Sequence, residues 1–571
     1  MIGILALNAQ APVEDPLLKA MRDEVERSKK LTLNNLEPPY FVQYVIDESE
    51  NFSVSATLGG IIGKRRDRYR EPEIRIRVGD YKFDNSNFAG GGFNFGGRYD
   101  LGRFPIENSY PVIRRHLWLE TDSAYKAAIE GLSRKRAALR NLQQSEQLND
   151  FAHAEPVKRV QTFDKLTVDE ESWTNRVRSL SAIFAEYPGV KNSSVELEAG
   201  AGGYTLVNSE GAEVKQRENV SFVRARAIAQ APDGMTMRDA VTFHALDPQH
   251  LPGDAELTRG VRALAENVVA LAKAPKGEDY NGPVLFEGTA GAQILAEVLG
   301  RNLVLTRRPA GDGGRGGGQP SELEGRIGAR VLPDSFEVVD DPTQKEWRGR
   351  SLFGSYDVDR EGVPAVALRV IEKGALKNYF VTRQPVRGYE GSNGHARLPG
   401  SNGAALATIS NLFVNPSDGV PVAELKKKLI ELCQTRGKPY GILIRKMDFP
   451  SSGSIDDMRR NMAGSQGGRP VSMPILVYKV FPDGREELVR GLRFRGLNVR
   501  SFKDILAAGN DAAPFEYMES AAPFATIGAA GFTAQAAVIA PSLLIDDLEL
   551  HPMEDELPKL PVVPAPEITN R

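Results

Sequence analysis

The sequence predicts an α+β protein built from an N-terminal α/β domain and a mainly antiparallel, barrel-like β domain at the C-terminal end. Its 571 residues exceed what one hydrophobic core usually organises, so two domains or more are expected. Helical and strand-like segments alternate up to residue 273, whereas strands joined by tight turns dominate after residue 280. Residues 274–280 form a predicted linker. We therefore place the domains at residues 15–278 and 279–553, between a leader at 1–14 and a proline-rich tail at 554–571.

The N-terminal domain is predicted to contain four helices and several half-buried strands. Asp15 and Pro16 mark the start of the first helix, which we expect to end near Lys30. The last helix, residues 254–272, repeats leucine and valine at helical spacing. The basic run at residues 64–70 fits a solvated strand face better than an interaction patch. The other predicted elements are helices over 122–141 and from residue 169, and strands over 40–46, 52–58, 71–78, 194–198, 203–207 and 220–227.

The C-terminal domain is predicted to consist mostly of β-hairpins. The turn at residues 372–374 joins predicted strands at 363–371 and 376–381, and the Pro-Asp-Gly turn at 482–484 joins strands at 477–481 and 488–492. One helix, residues 421–433, interrupts this pattern and ends at Cys433, which we expect to be a buried structural thiol. Because Cys433 is the only cysteine, the chain forms no intrachain disulfide and no cysteine-rich zinc site.

Charge and hydropathy argue against two classes of partner. The net charge of -3 and the pI near 6.2 do not fit a protein that binds nucleic acid through bulk charge, since such domains are usually clearly basic. No run of about 18 apolar residues is present, so no membrane span is predicted. Residues 1–11 look like the end of a secretory signal but lack its basic start. We expect an exported, periplasmic protein, or a cytoplasmic one if this leader has no targeting role.

The stretch at residues 281–301 organises the C-terminal domain. It begins as a buried strand at 283–286, turns at Gly288 and continues as an apolar helix over 289–299 that Gly300 is expected to end. Glu297 is the one charge in this apolar run. A carboxylate there either packs against a specific partner or belongs to a site.

An ordered series of short motifs starts at the same stretch and resembles the TldD/PmbA (TldE) family. The resemblance covers residues 280–550, and the N-terminal part more weakly. The family contains zinc peptidases (TldD) and relatives that lack the metal motif (TldE), and the two types pair as a heterodimer. The segments that carry the resemblance are 282–285 with the following helix, 328–331, 338–341, 362–364, 371–374, 392–397 and 541–548.

The resemblance implies a metal-site helix that has lost its ligands. Metal-binding members carry His-Glu-x-x-x-His, in which the imidazoles hold Zn²⁺ and the glutamate acts on zinc-bound water. The matching hexad here has Ala296 and Arg301 at the degenerate metal positions and retains only Glu297, the general-base position. Residues 521–541, where the family has a third ligand, contain no cysteine. We therefore expect no metal in this chain, and zinc only in a TldD-like partner; Arg301 is expected to pair with Glu297 across one helical turn.

The remaining candidate residues lie in the family-like segment 392–397. Asn393, His395 and Arg397 are predicted to lie in a loop near the cleft, where His395 could touch a substrate or a partner. The six histidines show no His-Glu-x-x-His or similar metal spacing, and no Gly-x-Ser-x-Gly motif is present.

These observations lead to one leading hypothesis and two alternatives. The chain is expected to be a non-catalytic TldE-like subunit that pairs with a TldD-like metallopeptidase subunit, or forms a homodimer, and helps to hold peptide substrates. A peptide could add as a strand to an exposed sheet edge of the C-terminal domain. The alternatives are a working hydrolase with an unrecognised site and a binding or regulatory module without hydrolase activity.

Overall fold

The computed structural model describes residues 15–32, 36–88, 104–140, 148–311, 320–399, 405–448, 471–520 and 533–553. The predicted leader and proline-rich tail lie outside these residues.

One seven-stranded sheet organises the N-terminal half. Its central strand β4 is 19 residues long, so it pairs with β6 along its first part and with β5 along its second part. The long β1–β2 hairpin lies on the other side of β4, β7 lies beyond β6, and β3 lies beyond β5. The elements of this half are α1 (Pro16–Ser28), β1 (Pro39–Thr57), β2 (Gly60–Val78), α2 (Tyr110–Leu139), β3 (Lys158–Val160), α3 (Glu170–Ala182), β4 (Val190–Asn208), β5 (Glu213–Arg217), β6 (Val220–Gln230), β7 (Thr236–Ala245) and α4 (Asp254–Lys273).

The four helices cover one face of this sheet and form two cores. Helices α1 and α2 bury their apolar residues against the start of β1 and the end of β2. Helices α3 and α4 cover the other end of β1 together with β4 and β6. The opposite face of the sheet turns toward the C-terminal half, where Arg360 makes an ion pair with Asp47 of β1.

Helix positions in this half follow the prediction better than strand boundaries do. Helices α1, α3 and α4 lie where they were predicted, but α2 begins at Tyr110 rather than at residue 122. The segments 40–46 and 52–58 are one strand, β1, and 194–198 and 203–207 are one strand, β4. Gly202 makes that continuity possible, because a Cβ on it would lie only 2.0 Å from the carbonyl oxygen of Glu48 on β1. The basic run lies on β2, where Lys64 and Arg66 face Glu170 in solvent, as predicted.

Two sheets enclose the main core of the C-terminal half. A six-stranded sheet has the order β13-β12-β9-β16-β23-β22, and a seven-stranded sheet has the order β19-β18-β17-β8-β24-β20 with β21 also on β24. The elements are β8 (Tyr280–Phe286), α5 (Thr289–Ile294), β9 (Phe336–Asp340), β10 (Glu346–Trp347), β11 (Arg350–Ser351), β12 (Leu368–Glu372), β13 (Ala375–Leu376), β14 (Ala396–Pro399), β15 (Ala405–Ala407), β16 (Asn411–Pro416), α6 (Val422–Thr435), β17 (Gly441–Met447), β18 (Pro474–Val480), β19 (Glu486–Val489), β20 (Leu492–Arg495), β21 (Ile505–Ala508), β22 (Ala513–Ser520), β23 (Thr533–Ala540) and β24 (Leu543–Pro552).

This architecture confirms the α+β prediction, with a half-barrel sheet. Most strand pairs of the C-terminal sheets are antiparallel, and the parallel exceptions are β8 with β17 and β16 with β23. Helix α5 lies in the core between the sheets. Helix α6 covers the other face of the seven-stranded sheet and buries Cys433, which is 1% exposed, as predicted. No helix in the described ranges is long and apolar enough to cross a membrane.

Three predicted strands of the C-terminal half are shorter than expected or divided, and of the segment 376–381 only Leu376 belongs to a strand, β13. Only Leu368–Glu372 of the segment 363–371 is a strand, because the N-terminal part of that segment binds the Asp359 carboxylate through the Val363 N–H and contains Pro364, which has no N–H to donate. The predicted strand 488–492 is divided between β19 and β20. Gly491 lies between them with φ of +70°, and this turn sends β20 to β24.

Candidate functional site

The hexad at residues 296–301 lies on an unusual helical turn. Helix α5 continues as a π-helical turn over Leu295–Leu299 and then as a 3₁₀ turn over Gly300–Leu303. The N–H of Gly300 donates to the carbonyl oxygen of Leu295, five residues earlier. Gly300 keeps right-handed helical angles, φ -54° and ψ -45°, so the prediction that it ends the helix is wrong. The chain leaves the helical conformation only at Val304.

The π turn lies at the two degenerate metal positions. In a regular α-helix, residues five apart point about 140° away from each other. A hydrogen bond from residue i+5 to residue i closes a wider turn and places such residues on the same face. Ala296 and Arg301 are five residues apart and span this turn. The bond that closes the wider turn joins Gly300 to Leu295, and Ala296 and Arg301 are the next pair with the same spacing along the chain.

The side chains on this turn do not fit a zinc ion. Ala296 contributes a methyl group that is fully buried in the main core, and Arg301 contributes a guanidinium. Neither group can donate a lone pair to a dication. Arg301 lies 3.8 Å from a carboxylate oxygen of Glu519 on β22. Within the described ranges, no group of three His, Cys, Asp or Glu residues is arranged to hold a metal ion.

Glu297 is 2% exposed, and both of its carboxylate oxygens accept hydrogen bonds. Oε1 accepts from the Gln293 amide at 2.9 Å, and Oε2 accepts from the backbone N–H of Ser472 at 2.7 Å. Burial raises the pKa of Glu297, and the charge of Arg301 and the two hydrogen-bond donors act in the opposite direction. The residue at the general-base position is thus a carboxylate that accepts a hydrogen bond from the protein on each of its two oxygens.

The contacts of Glu297 continue toward the N-terminal sheet. The Gln293 amide also donates to the backbone carbonyl of Asp448 at 2.8 Å, and Arg238 of β7 donates to the Asp448 carboxylate at 2.9 Å. Gln293 lies four residues before Glu297, so its contact could have been predicted from helical spacing. Asp448, Ser472 and Arg238 are 155 or more residues from their partners, and no local pattern points to them.

The three residues predicted to lie near the cleft hold backbone segments together. His395 is fully buried, so its side chain does not line an open cleft; its ring nitrogens face the Asn393 carbonyl at 2.9 Å and the Asp340 carboxylate at 3.1 Å. The Asn393 side chain donates to the Tyr379 carbonyl at 2.7 Å. Arg397 donates to the Ile409 carbonyl at 3.2 Å. None of these contacts involves Glu297.

Ser410, Asp340 and His395 form a buried cluster that no local sequence pattern indicates. The Ser410 hydroxyl and the His395 ring both contact the same oxygen of Asp340. A hydrolase triad needs the histidine between the serine and the aspartate, so that the imidazole can take the hydroxyl proton. Here the aspartate is in the middle and all three residues are 0% exposed. The cluster is therefore structural.

Comparison with known proteins identifies the C-terminal half by sequence. The family model for the PmbA/TldA metallopeptidase C-terminal domain matches residues 280–447. A metalloprotease of Archaeoglobus fulgidus is 31% identical over 93 residues, which are 16% of this chain and 20% of that protein. A metalloprotease of Methanothermobacter thermautotrophicus is 24% identical over 241 residues, 41% of this chain and 48% of that protein. The matched regions thus span between about a fifth and about half of these relatives.

Solved structures share the fold over nearly the whole chain. A proposed modulator of DNA gyrase from Thermotoga maritima superposes with a TM-score of 0.56 at 16% identity, covering 93% of this chain and 99% of that one. TldE from Thermococcus kodakarensis superposes with a TM-score of 0.53 at 11% identity, with 93% and 99% covered. The family-model match over residues 280–447, the local similarity to metalloproteases and the shared fold agree with one another and support membership of the TldD/PmbA family.

Proposed function

We propose that this chain is a TldE-like, non-catalytic subunit that pairs with a TldD-like zinc peptidase subunit. One observation carries the proposal: the hexad lies on a π-helical turn, but its first and last residues, where the motif has histidines, are Ala296 and Arg301. A catalytic zinc needs three protein ligands and an open coordination position. The chain contributes neither histidine of the motif, so zinc chemistry is assigned to the partner.

The surroundings of Arg301 support a role in holding peptides rather than cleaving them. Arg301 and Glu519 form an ion pair at the hexad, and burial, together with the carboxylates of Glu519 and Glu297, raises the pKa of Tyr517 on β22. In the part of the chain that the structure describes, β22 is the last strand of its sheet and pairs only with β23. An extended peptide could add to β22 as a further strand, next to these side chains.

Co-purification tests the pairing. We expect this chain, co-expressed with a His-Glu-x-x-x-His relative from the same source, to elute as a complex that contains zinc in the relative only and cleaves unstructured peptides. A control complex in which the first histidine of the relative is replaced by alanine should form but should not cleave. The proposal fails if this chain forms a closed homodimer without binding the relative, or if the purified chain alone holds stoichiometric zinc.

A hydrolase with an unrecognised site gives a different result in the same experiment. Cleavage by this chain alone, abolished by Glu297→Gln, would assign catalysis to Glu297 and overturn the non-catalytic role. Under our proposal, the chain alone shows no cleavage above the background of a mock purification, and Glu297→Gln leaves the activity of the complex unchanged as long as the complex still forms.

A further inference from the structure

We propose that the N-terminal sheet controls the conformation of the hexad through a buried relay that runs from β7 to Glu297. The relay lies within this chain alone and does not depend on the proposed pairing. Three sets of contacts form the relay. Ion pairs join β7 to the end of β17, and hydrogen bonds join the end of β17 to the start of β18. Hydrogen bonds then link these strand ends to Gln293 and Glu297.

The first set of contacts consists of two ion pairs: in one the cation lies on β7, and in the other it lies on β17. Arg238 and Asp239 are adjacent on β7, and Lys446 and Asp448 lie at and just after the end of β17. Arg238 Nε lies 2.9 Å from the Asp448 carboxylate, and Lys446 Nζ lies 2.6 Å from the Asp239 carboxylate. The Lys446 ammonium also donates to the Ala240 carbonyl at 2.8 Å. Because the signs are reversed between the two pairs, a displacement that set Asp239 against Asp448 would bring like charges together.

These pairs are well shielded from water. Asp239 is 1% exposed and Asp448 is 5% exposed. A buried carboxylate that loses its cation is left as an uncompensated charge, which the surrounding structure must relieve by moving or by admitting water. Removing Arg238 therefore weakens what holds the Asp448 carboxylate, and with it the Asp448 backbone, in place.

The second contact joins the strand ends beside the hexad. The Asp448 N–H donates to the Met473 carbonyl at 2.7 Å, and Met447 of β17 pairs with Pro474 of β18. Residues 448 and 471–473 thus lie side by side. Any shift of Asp448 is transmitted to its neighbours on the adjoining strand.

The third contact reaches the hexad from both strand ends. Gln293 donates to the Asp448 carbonyl at 2.8 Å and to Glu297 at 2.9 Å, while Ser472 donates its N–H to the other oxygen of Glu297 at 2.7 Å. Glu297 is the second residue of the hexad and lies in the π turn. We infer that Glu297 persists without a metal because it attaches this turn to the ends of β17 and β18, and through Asp448 to β7.

Hydrogen–deuterium exchange of the full chain tests the relay. Arg238→Gln should raise the exchange rate of amides in residues 295–303 at least tenfold. The matched control is Arg360→Gln, which removes another ion pair between the N-terminal sheet and the C-terminal half: the Arg360 and Asp47 side chains are 7% and 15% exposed, against 15% and 7% for Arg238 and Asp448. The amides of residues 295–303 should exchange at least tenfold more slowly in Arg360→Gln than in Arg238→Gln.

A second variant separates the relay from a general loosening of the interface and serves if Arg238→Gln does not fold. Gln293→Met removes both amide contacts but leaves the ion pairs of β7 in place. It should raise exchange at residues 295–303 and leave residues 236–245 within twofold of wild type. Unchanged exchange of the hexad in Gln293→Met, or equal effects of Arg238→Gln and Arg360→Gln, would overturn the proposal.

Discussion

At the level of one residue, Glu297 is a buried carboxylate whose hydrogen bonds can be tested by substitution. The same carboxylate that could take a proton from zinc-bound water here accepts one hydrogen bond on each oxygen. In Glu297→Gln, the carboxamide presents an NH₂ group to either the Gln293 amide or the Ser472 N–H, so one buried donor loses its acceptor. We expect a loss of about 1–3 kcal/mol in the free energy of unfolding, measured by urea denaturation at neutral pH.

The control for this variant is Glu26→Gln, whose wild-type side chain is 63% exposed in an ion pair with Lys29. It should change the free energy of unfolding by less than about 0.5 kcal/mol. Equal stabilities of Glu297→Gln and wild type would show that the hydrogen bonds of Glu297 contribute nothing to the folded state.

Asp359 gives a pH-dependent prediction at the same scale. Burial, reinforced by the charge of Glu361, raises the pKa of Asp359 to about 7, although the backbone N–H groups of Val363, Glu361 and Ala396 act against this shift. The folded state therefore holds a proton that the unfolded chain releases near pH 3.8. The stability that this proton contributes is fully present below pH 3.8 and is lost as the pH rises through about 7.

We therefore expect the stability of the wild-type chain to fall relative to that of Asp359→Asn between pH 5 and pH 7, by about 1 kcal/mol per pH unit. Thermal or urea unfolding at pH 5, 6, 7 and 8 measures the difference, which should level off above pH 7. Asp254→Asn, at a carboxylate whose side chain is 73% exposed, is the control and should give a difference that does not vary with pH. A constant difference for Asp359→Asn would contradict the raised pKa.

At the level of elements, the sequence predicted which segments are helical but not how the hexad helix is wound. Apolar residues at 294, 295, 298 and 299 indicate a core-facing helix, and they do so equally well for an α and a π turn. The π turn depends on packing against both C-terminal sheets, which no window of sequence contains. Strand lengths were underestimated for a related reason: the polar residues Asp47 and Glu48 interrupt the apolar pattern of β1, but Arg360 and Arg70 pair with them and the strand continues.

The same limit applies to the site. The spacing of the hexad pointed to Ala296, Glu297 and Arg301, because those residues are close along the chain. The contacts around Glu297 join residues that are far apart in the chain: Ser472 is 175 residues from Glu297, and Asp448 is 210 residues from Arg238. Such contacts follow from topology alone. A carboxylate in an apolar helix therefore predicted a bonded partner without indicating which one.

The close packing of helix α5 leads to a prediction about stability. A Cβ on Gly291 would lie 2.5 Å from the carbonyl oxygen of Pro541, between β23 and β24, so the helix touches backbone that cannot rotate away. Gly291→Ala should lower the free energy of unfolding by about 1–3 kcal/mol, as overpacking of a close-packed core does. Gly253→Ala, at the start of α4 with open space around it, is the control and should cost less than about 1 kcal/mol. Similar stabilities for the two variants in urea denaturation would show that α5 can shift from the β23–β24 connection at little cost.

At the level of the whole molecule, buried ion pairs join the N-terminal sheet to the C-terminal half. Arg360 donates to both oxygens of Asp47, at 2.8 Å and 2.5 Å, and lies 3.8 Å from Glu73. Arg383 contacts Glu210 at 2.6 Å, and both side chains are less than a tenth exposed. Breaking a buried pair by removing one partner costs more than the pair contributes, because the remaining charge stays buried without compensation.

Arg360→Ala should therefore lower the free energy of unfolding of the full chain by about 3–5 kcal/mol. Arg262→Ala, which removes an ion pair with Glu186 whose side chains are 42% and 54% exposed, should leave the free energy of unfolding nearly unchanged. The double variant Arg360→Ala/Asp47→Ala separates the two contributions: it should be more stable than the sum of the single losses predicts, since no orphaned carboxylate remains at Asp47. If the losses simply add, the two side chains act independently and the interface is held by apolar contacts instead.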